Sequence, residues 1–144
     1  MIFFALILNI SDIGVRRVEA TACKVVDVRL SVGMSTLLEF DQEPTLTFHA
    51  DDQHFSLKNS ESAKRSLAII PNIREQDVRS LFPNTDFPPG GAILADALDR
   101  TYRTNLFVFF KGSGRLMFQL RFVDKSKADY VLKIKQVFRK DCLR

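Results

Sequence analysis

A β-sandwich is the fold this sequence predicts, antiparallel in its pairing, with a long loop and short-helix insertion ahead of a central hairpin. Three observations predict it. Apolar and polar residues alternate in short runs from residue 24 onward, turn residues break those runs about every 8 to 12 positions, and Thr104 to Val123 reads as two apolar strands joined by Gly112-Ser113-Gly114. The 144 residues allow one domain, and a composition 46% hydrophobic and 26% charged suits a globular core.

The elements follow in chain order. Ile2 to Ile10 is an apolar run too short to span a bilayer. It fits the hydrophobic segment of an export signal, with Val18-Glu19-Ala20 at the cleavage site, so residues 1–20 are expected to leave before Thr21 and residues 21–144 to form the sandwich. A buried N-terminal strand is the other reading of the same run. Val26, Val28 and Leu30 then alternate with Asp27 and Arg29, and Ser35 to Phe40 forms the next strand. Thr45 to Ala50 follows the turn Asp41-Gln42-Glu43-Pro44, with Leu46 and Phe48 expected to face inward. Asp51-Asp52 turns the chain into His54 to Lys58, where Phe55 and Leu57 face inward, and Ser66 to Ile70 is the strand that Pro71 ends.

Between Asn72 and Arg100 the period changes. Val78, Leu81 and Phe82 have helical spacing, as do Ile93, Leu94, Ala97 and Leu98, and Pro83 to Gly91 separates the two short helices. Phe82 and Phe87 are either staples of this excursion or exposed anchors for a partner. In the hairpin, Leu116, Phe118, Leu120 and Phe122 share one face, whereas Leu106 to Phe110 is apolar on both faces and is expected to be covered on both. The last strand, Tyr130 to Phe138, places Lys133, Lys135 and Arg139 opposite Tyr130, Leu132, Ile134 and Phe138.

The net charge of +4 is unevenly placed, since the stretch Asp124 to Arg144 holds seven Lys or Arg against three Asp. A basic row on a terminal strand is a solvated edge that resists unwanted pairing, or a docking stripe for an acidic partner. Cys23 and Cys142 are the only cysteines, and export would place them where a single disulfide forms. Neither has the spacing of a redox or zinc pair.

Chemistry-bearing patterns are sparse. His49, Asp51, Asp52 and His54 invite a metal, but Asp-Asp is good turn chemistry and no third imidazole or thiolate lies nearby, so no metal and no cofactor is expected. Lys111-Gly112-Ser113-Gly114-Arg115 lacks the frame of a phosphate-binding loop and reads as a hairpin turn. No nucleophile frame is present, which argues against an enzyme and a small-molecule substrate. The phenylalanines and basic residues allow a stacking platform for single-stranded nucleic acid, yet most of the phenylalanines alternate as core residues.

Three segments carry a family resemblance. Gly33-Met34-Ser35-Thr36-Leu37-Leu38-Glu39-Phe40, Ser66-Leu67-Ala68-Ile69-Ile70-Pro71 and Thr104-Asn105-Leu106-Phe107-Val108-Phe109 occur in an order that resembles the N-terminal β-sandwich of the conjugal-transfer TrbG/CagX family. The resemblance spans roughly Val25 to Val123. It implies a periplasmic subunit of a type IV secretion outer-membrane core complex, assembled with other envelope subunits and in a ring. The N-terminal domain of the pilus-assembly secretin shows a similar pattern. The family's second domain, which meets the outer membrane and a small lipoprotein, has no counterpart here, and Asn72 to Arg100 is longer than the family pattern.

The sequence therefore predicts an exported, non-enzymatic assembly module that uses strand edges, with Lys133, Lys135, Arg139 and Phe87 as partner contacts and a Cys23–Cys142 bridge. A soluble binding module, nucleic-acid binding included, is the competing class.

Overall fold

The computed structural model describes residues 14–86, 89–112 and 114–137. It is a two-sheet sandwich built from β1 (Val15–Ala20), β2 (Val25–Leu30), β3 (Thr36–Phe40), β4 (Pro44–His49), β5 (Phe55–Ser60), β6 (Ala63–Pro71), α1 (Glu75–Leu81), α2 (Gly91–Tyr102), β7 (Thr104–Phe110), β8 (Gly114–Phe122) and β9 (Val131–Gln136). Among the described residues, sheet A has five strands in the order β1-β9-β3-β6-β5, and sheet B has four in the order β2-β8-β7-β4. The central hairpin β7–β8 supplies the two inner strands of sheet B.

The core follows the period of two. Val26, Val28 and Leu30 of β2, Leu38 and Phe40 of β3, Leu106, Val108 and Phe110 of β7, and Leu116, Phe118, Leu120 and Phe122 of β8 are all buried. Aromatic rings tie the sheets together, Phe40 meeting Phe110 at 5.5 Å and Phe118 at 6.2 Å, and Phe55 meeting Phe122 at 5.7 Å. Each such side chain contributes about 1.5–3 kcal/mol by leaving water.

Pairing is mixed where the sequence predicts antiparallel neighbours throughout. β1 with β9, β9 with β3, and β2 with β8 run parallel. Alternation fixes which face of a strand is buried and is silent on the direction of its neighbour, so the parallel pairs were not readable from it. The last strand, β9, lies between β1 and β3, which corrects the expectation that Lys133 and Lys135 stand on a sheet edge.

The final six residues of the segment read as a leader, Val15–Ala20, form β1, and Ala20 is buried in the core. A cut before Thr21 would strip this strand from β9. Gly14 opens it at φ 76, beneath the Tyr130 ring, where a Cβ would come within 2.0 Å of the ring carbon Cδ2. Only glycine fits both the positive φ and the close approach.

Two buried carboxylates close the ends of the sandwich. Asp129 accepts Arg16 through both oxygens, at 3.0 and 2.8 Å, and the Arg29 N–H at 3.0 Å, while its own N–H donates to the Arg29 carbonyl at 2.8 Å. Arg16 also donates to the Asp27 carbonyl at 2.6 Å, so the outer backbone of β2 is capped by Arg16 of β1 and by Asp129 in the connection before β9. Asp99 of α2 accepts the Phe122 N–H at 3.1 Å, Arg121 at 3.0 Å and Arg103 at 2.5 Å. Burial alone would raise the Asp99 pKa, but these hydrogen bonds outweigh it and hold the carboxyl below its ordinary value. The result pins α2 across the end of sheet B, with Leu98 packed into the core. Ile93, placed on the apolar stripe by its spacing, is exposed, and the buried side of α2 is Ala95, Leu98 and Asp99.

Candidate functional site

Among the described residues, the outer face of sheet B carries an apolar row that crosses β4, β7, β8 and β2. Direct cross-strand partners share a face, so the register sets Phe48 of β4 beside Phe107 of β7, Phe107 beside Met117 of β8, and Met117 beside Val25 of β2. A second row sets Leu46 beside Phe109, and Phe109 beside Arg115. Phe48 is 64% exposed, Leu46 56% and Val25 51%, while Phe107, Phe109 and Met117 are half-buried among them. Beyond the apolar rows comes a polar one, Asn105, Gln119 and Asp27.

Leu46 and Phe48 thus face outward, contrary to the expected parity. Thr47 and His49 take the inward side, opposite the buried Val108 and Leu106. The hairpin strand β7 explains the inversion. Its outward residues Phe107 and Phe109 offer aromatic sides against which Leu46 and Phe48 pack laterally, a cross-strand contact that compensates in part for exposure. The same two residues correct the expectation that the first hairpin strand is covered on both faces.

Sheet A turns a different outer face to solvent. Arg17 and Lys133 are register partners, as are Glu39 and Lys133, and Glu19 and Lys135. With Asp41 these line a shallow groove holding three cations and three carboxylates. Lys133 and Lys135 are both exposed there, so the sequence-derived basic stripe is in its setting a ladder of mixed sign. Arg139 and Phe87 lie outside the described residues.

The histidines do not converge. His49 bonds the Phe55 carbonyl at 3.3 Å through Nε2, and His54 bonds Asp51 at 2.9 Å through Nδ1 and packs against Tyr102, the two rings tilted by 43° with centroids 4.5 Å apart. Both histidines are half-buried and engaged. Among the described residues no group of three or more His, Cys, Asp or Glu could hold a metal. A cleft of about 700 Å³ places Arg29, Lys125 and Lys127 around the Asp129–Arg16 pair, whose carboxylate is already saturated. Cys23, in the turn between β1 and β2, is bonded in a disulfide. Cys142, the other half of the expected bridge, lies outside the described residues.

Sequence reasoning missed the apolar face. Its signal was present in Leu106 to Phe110, where two interleaved apolar sets cannot both enter one core unless a second layer covers the strand. Among the described residues no helix is long and apolar enough to cross a membrane. No family model matches this chain, and no curated protein matches its sequence. The functional reading therefore rests on the chain's own residues and on the short motifs at 33–40, 66–71 and 104–109.

Proposed function

We propose that this protein is a non-enzymatic docking module that binds protein partners through the outer face of sheet B. The row Phe48–Phe107–Met117–Val25 carries the reading. Contiguous exposed apolar surface of this kind on a folded domain marks interaction sites, and aromatic anchors within it supply most of the binding energy. The rigid sandwich beneath holds the row in place, so little ordering entropy is lost on contact.

The finer assignment, a periplasmic subunit of a type IV secretion or conjugation envelope complex, is supported by the TrbG/CagX resemblance, and the disulfide at Cys23 fits an oxidising compartment. An alternative with an observation in its favour is single-stranded nucleic acid, because Phe107 and Phe109 are outward aromatics with Arg115 beside Phe109. The aliphatic and thioether content of Leu46, Val25 and Met117 favours a protein surface over stacked bases.

A photo-crosslinking side chain at position 48 in intact cells should capture a discrete protein, and Phe107→Lys should abolish the capture while leaving the melting temperature within a few degrees. The same probe at position 135 should capture less. Capture from position 135 with none from 48 would return the interface to the charged ladder of sheet A. Salt-sensitive binding of a fluorescent oligonucleotide, lost in Phe107→Lys, would favour the nucleic-acid alternative.

A further inference from the structure

We propose that a second copy of this chain pairs along β4, forming a two-fold dimer in which the two β4 strands run antiparallel about Thr47 and join the two copies of sheet B into one eight-stranded surface. This inference rests on the docking reading of sheet B, because it names one occupant of that sheet's open side.

Among the described residues the sandwich has four edge strands, β1 and β5 in sheet A and β2 and β4 in sheet B. Edges are normally blunted by charge, irregularity or cover, since a bare row of N–H and C=O groups templates another strand. Three of these are blunted. β1 carries Arg16, Arg17 and Glu19, and β5 carries Lys58 with a register shift between Lys58 and Ser60. In β2 the outer backbone groups of Asp27 and Arg29 are bonded to Arg16 and Asp129.

β4 differs on each count. It contains no Asp, Glu, Lys or Arg, and its proline and its register irregularity, between Pro44 and Leu46, are confined to one end. Among the described residues, the only side-chain hydrogen bonds from β4 are from Thr45 to the Phe109 carbonyl and between His49 and the Phe55 carbonyl. Neither covers the stretch Leu46 to Phe48 from outside.

The occupant follows from the pattern of the strand. Pairing β4 antiparallel to itself about Thr47 sets Leu46 against Phe48 of the partner subunit, Phe48 against Leu46 of the partner subunit, and Thr45 against His49 of the partner subunit. All three matches keep apolar with apolar and polar with polar, and no like charges meet. The same contacts arise twice by symmetry, which is the property an isologous interface requires. The two apolar rows then continue across both copies, and a partner that docks on one would find the other beside it, gaining avidity without new contacts.

The test uses the full chain. Sedimentation of the unaltered protein should show a concentration-dependent dimer, and Phe48→Lys should weaken it by at least ~10-fold at unchanged melting temperature, because each dimer loses two cross-strand pairs. Thr47→Cys should form an intermolecular disulfide under mild oxidation, since residues directly opposite in an antiparallel pair lie about 4.5–5.5 Å apart at Cα. Thr45→Cys should not, because its opposite residue is His49. A chain that remains monomeric up to its solubility limit overturns the proposal, as does a dimer that Phe48→Lys leaves intact and Thr47→Cys does not crosslink. If the chain is monomeric while the probe at position 48 still captures another protein, the dimer falls and the docking reading stands. If neither is seen, both fall.

Discussion

The two outer faces of this sandwich are built on the same scaffold and have opposite chemistry. On sheet A, charges of both signs are mixed across the strands, Lys133 lying between Arg17 and Glu39 and Lys135 opposite Glu19. Such a face is content in water, and its charges specify register and discourage chance association. On sheet B the neighbours are Phe48, Phe107, Met117 and Val25. Water is a poor solvent for that row, and folding alone does not remove it. The difference teaches that net charge is a poor guide to where this molecule meets others. The basic excess near the chain end draws the eye to Lys133 and Lys135, yet their neighbours offset much of it, and the surface with energy to gain is the uncharged one.

The largest effect that would sharpen this contrast comes from one residue type on two sides of one sheet. Phe118→Ala, inside the core, should cost about 3–5 kcal/mol, whereas Phe48→Ala should cost less than about 0.5 kcal/mol. Denaturant unfolding of both variants measures it. A comparable loss at Phe48 would mean that the outer row works as a second core, and the contrast between the faces would break.

Next in size is the carboxylate that keeps α2 at the end of sheet B instead of over its face. Asp99→Ala should destabilise by about 2–3 kcal/mol, because Arg121 and Arg103 lose their acceptor and the Phe122 N–H is orphaned in the core. The Asp99 pKa is lowered in the folded state, so its contribution is complete above the ordinary carboxylate pKa of about 4 and is lost as pH falls through the folded value. Thermal melts of the unaltered protein and Asp99→Ala should therefore converge in acid and separate near neutrality. Equal separation at all pH values would remove the carboxylate from that role.

The smallest effect is expected on sheet A. Lys133→Glu with Lys135→Glu should change stability by no more than about 1 kcal/mol, with the difference shrinking in high salt. It should leave crosslinking from position 48 unaltered. Loss of that crosslink would show that the charged ladder takes part in docking after all.

The sandwich was legible because alternation in β2, β3 and β8 is strict, and each set that reads as inward, such as Val26, Val28 and Leu30, is buried. Both short helices were legible from their period, Val78 and Leu81 lying in α1 and Ile93, Leu94, Ala97 and Leu98 in α2. In β4 the pattern was just as clear and its reading was inverted. Thr-Leu-Thr-Phe-His declares two faces but not which one a neighbouring layer covers, and that depends on Phe107 and Phe109 lying next door. The buried pairs Asp129–Arg16 and Asp99–Arg121 were equally invisible, because each joins residues far apart in the chain. The docking surface is a product of register, which no local window contains.

One feature of sheet A bears on how the chain reaches this shape. β9, the last strand, is inserted in parallel between β1 and β3, two of the first to be made. Until β9 arrives those two strands have no common neighbour, so sheet A cannot close before it. The hairpin β7–β8 is local and can form early, whereas the sheet that joins β1 to β9 depends on pairing between residues far apart in the chain and must wait. Closure of sheet A later than the hairpin is the natural consequence of that threading.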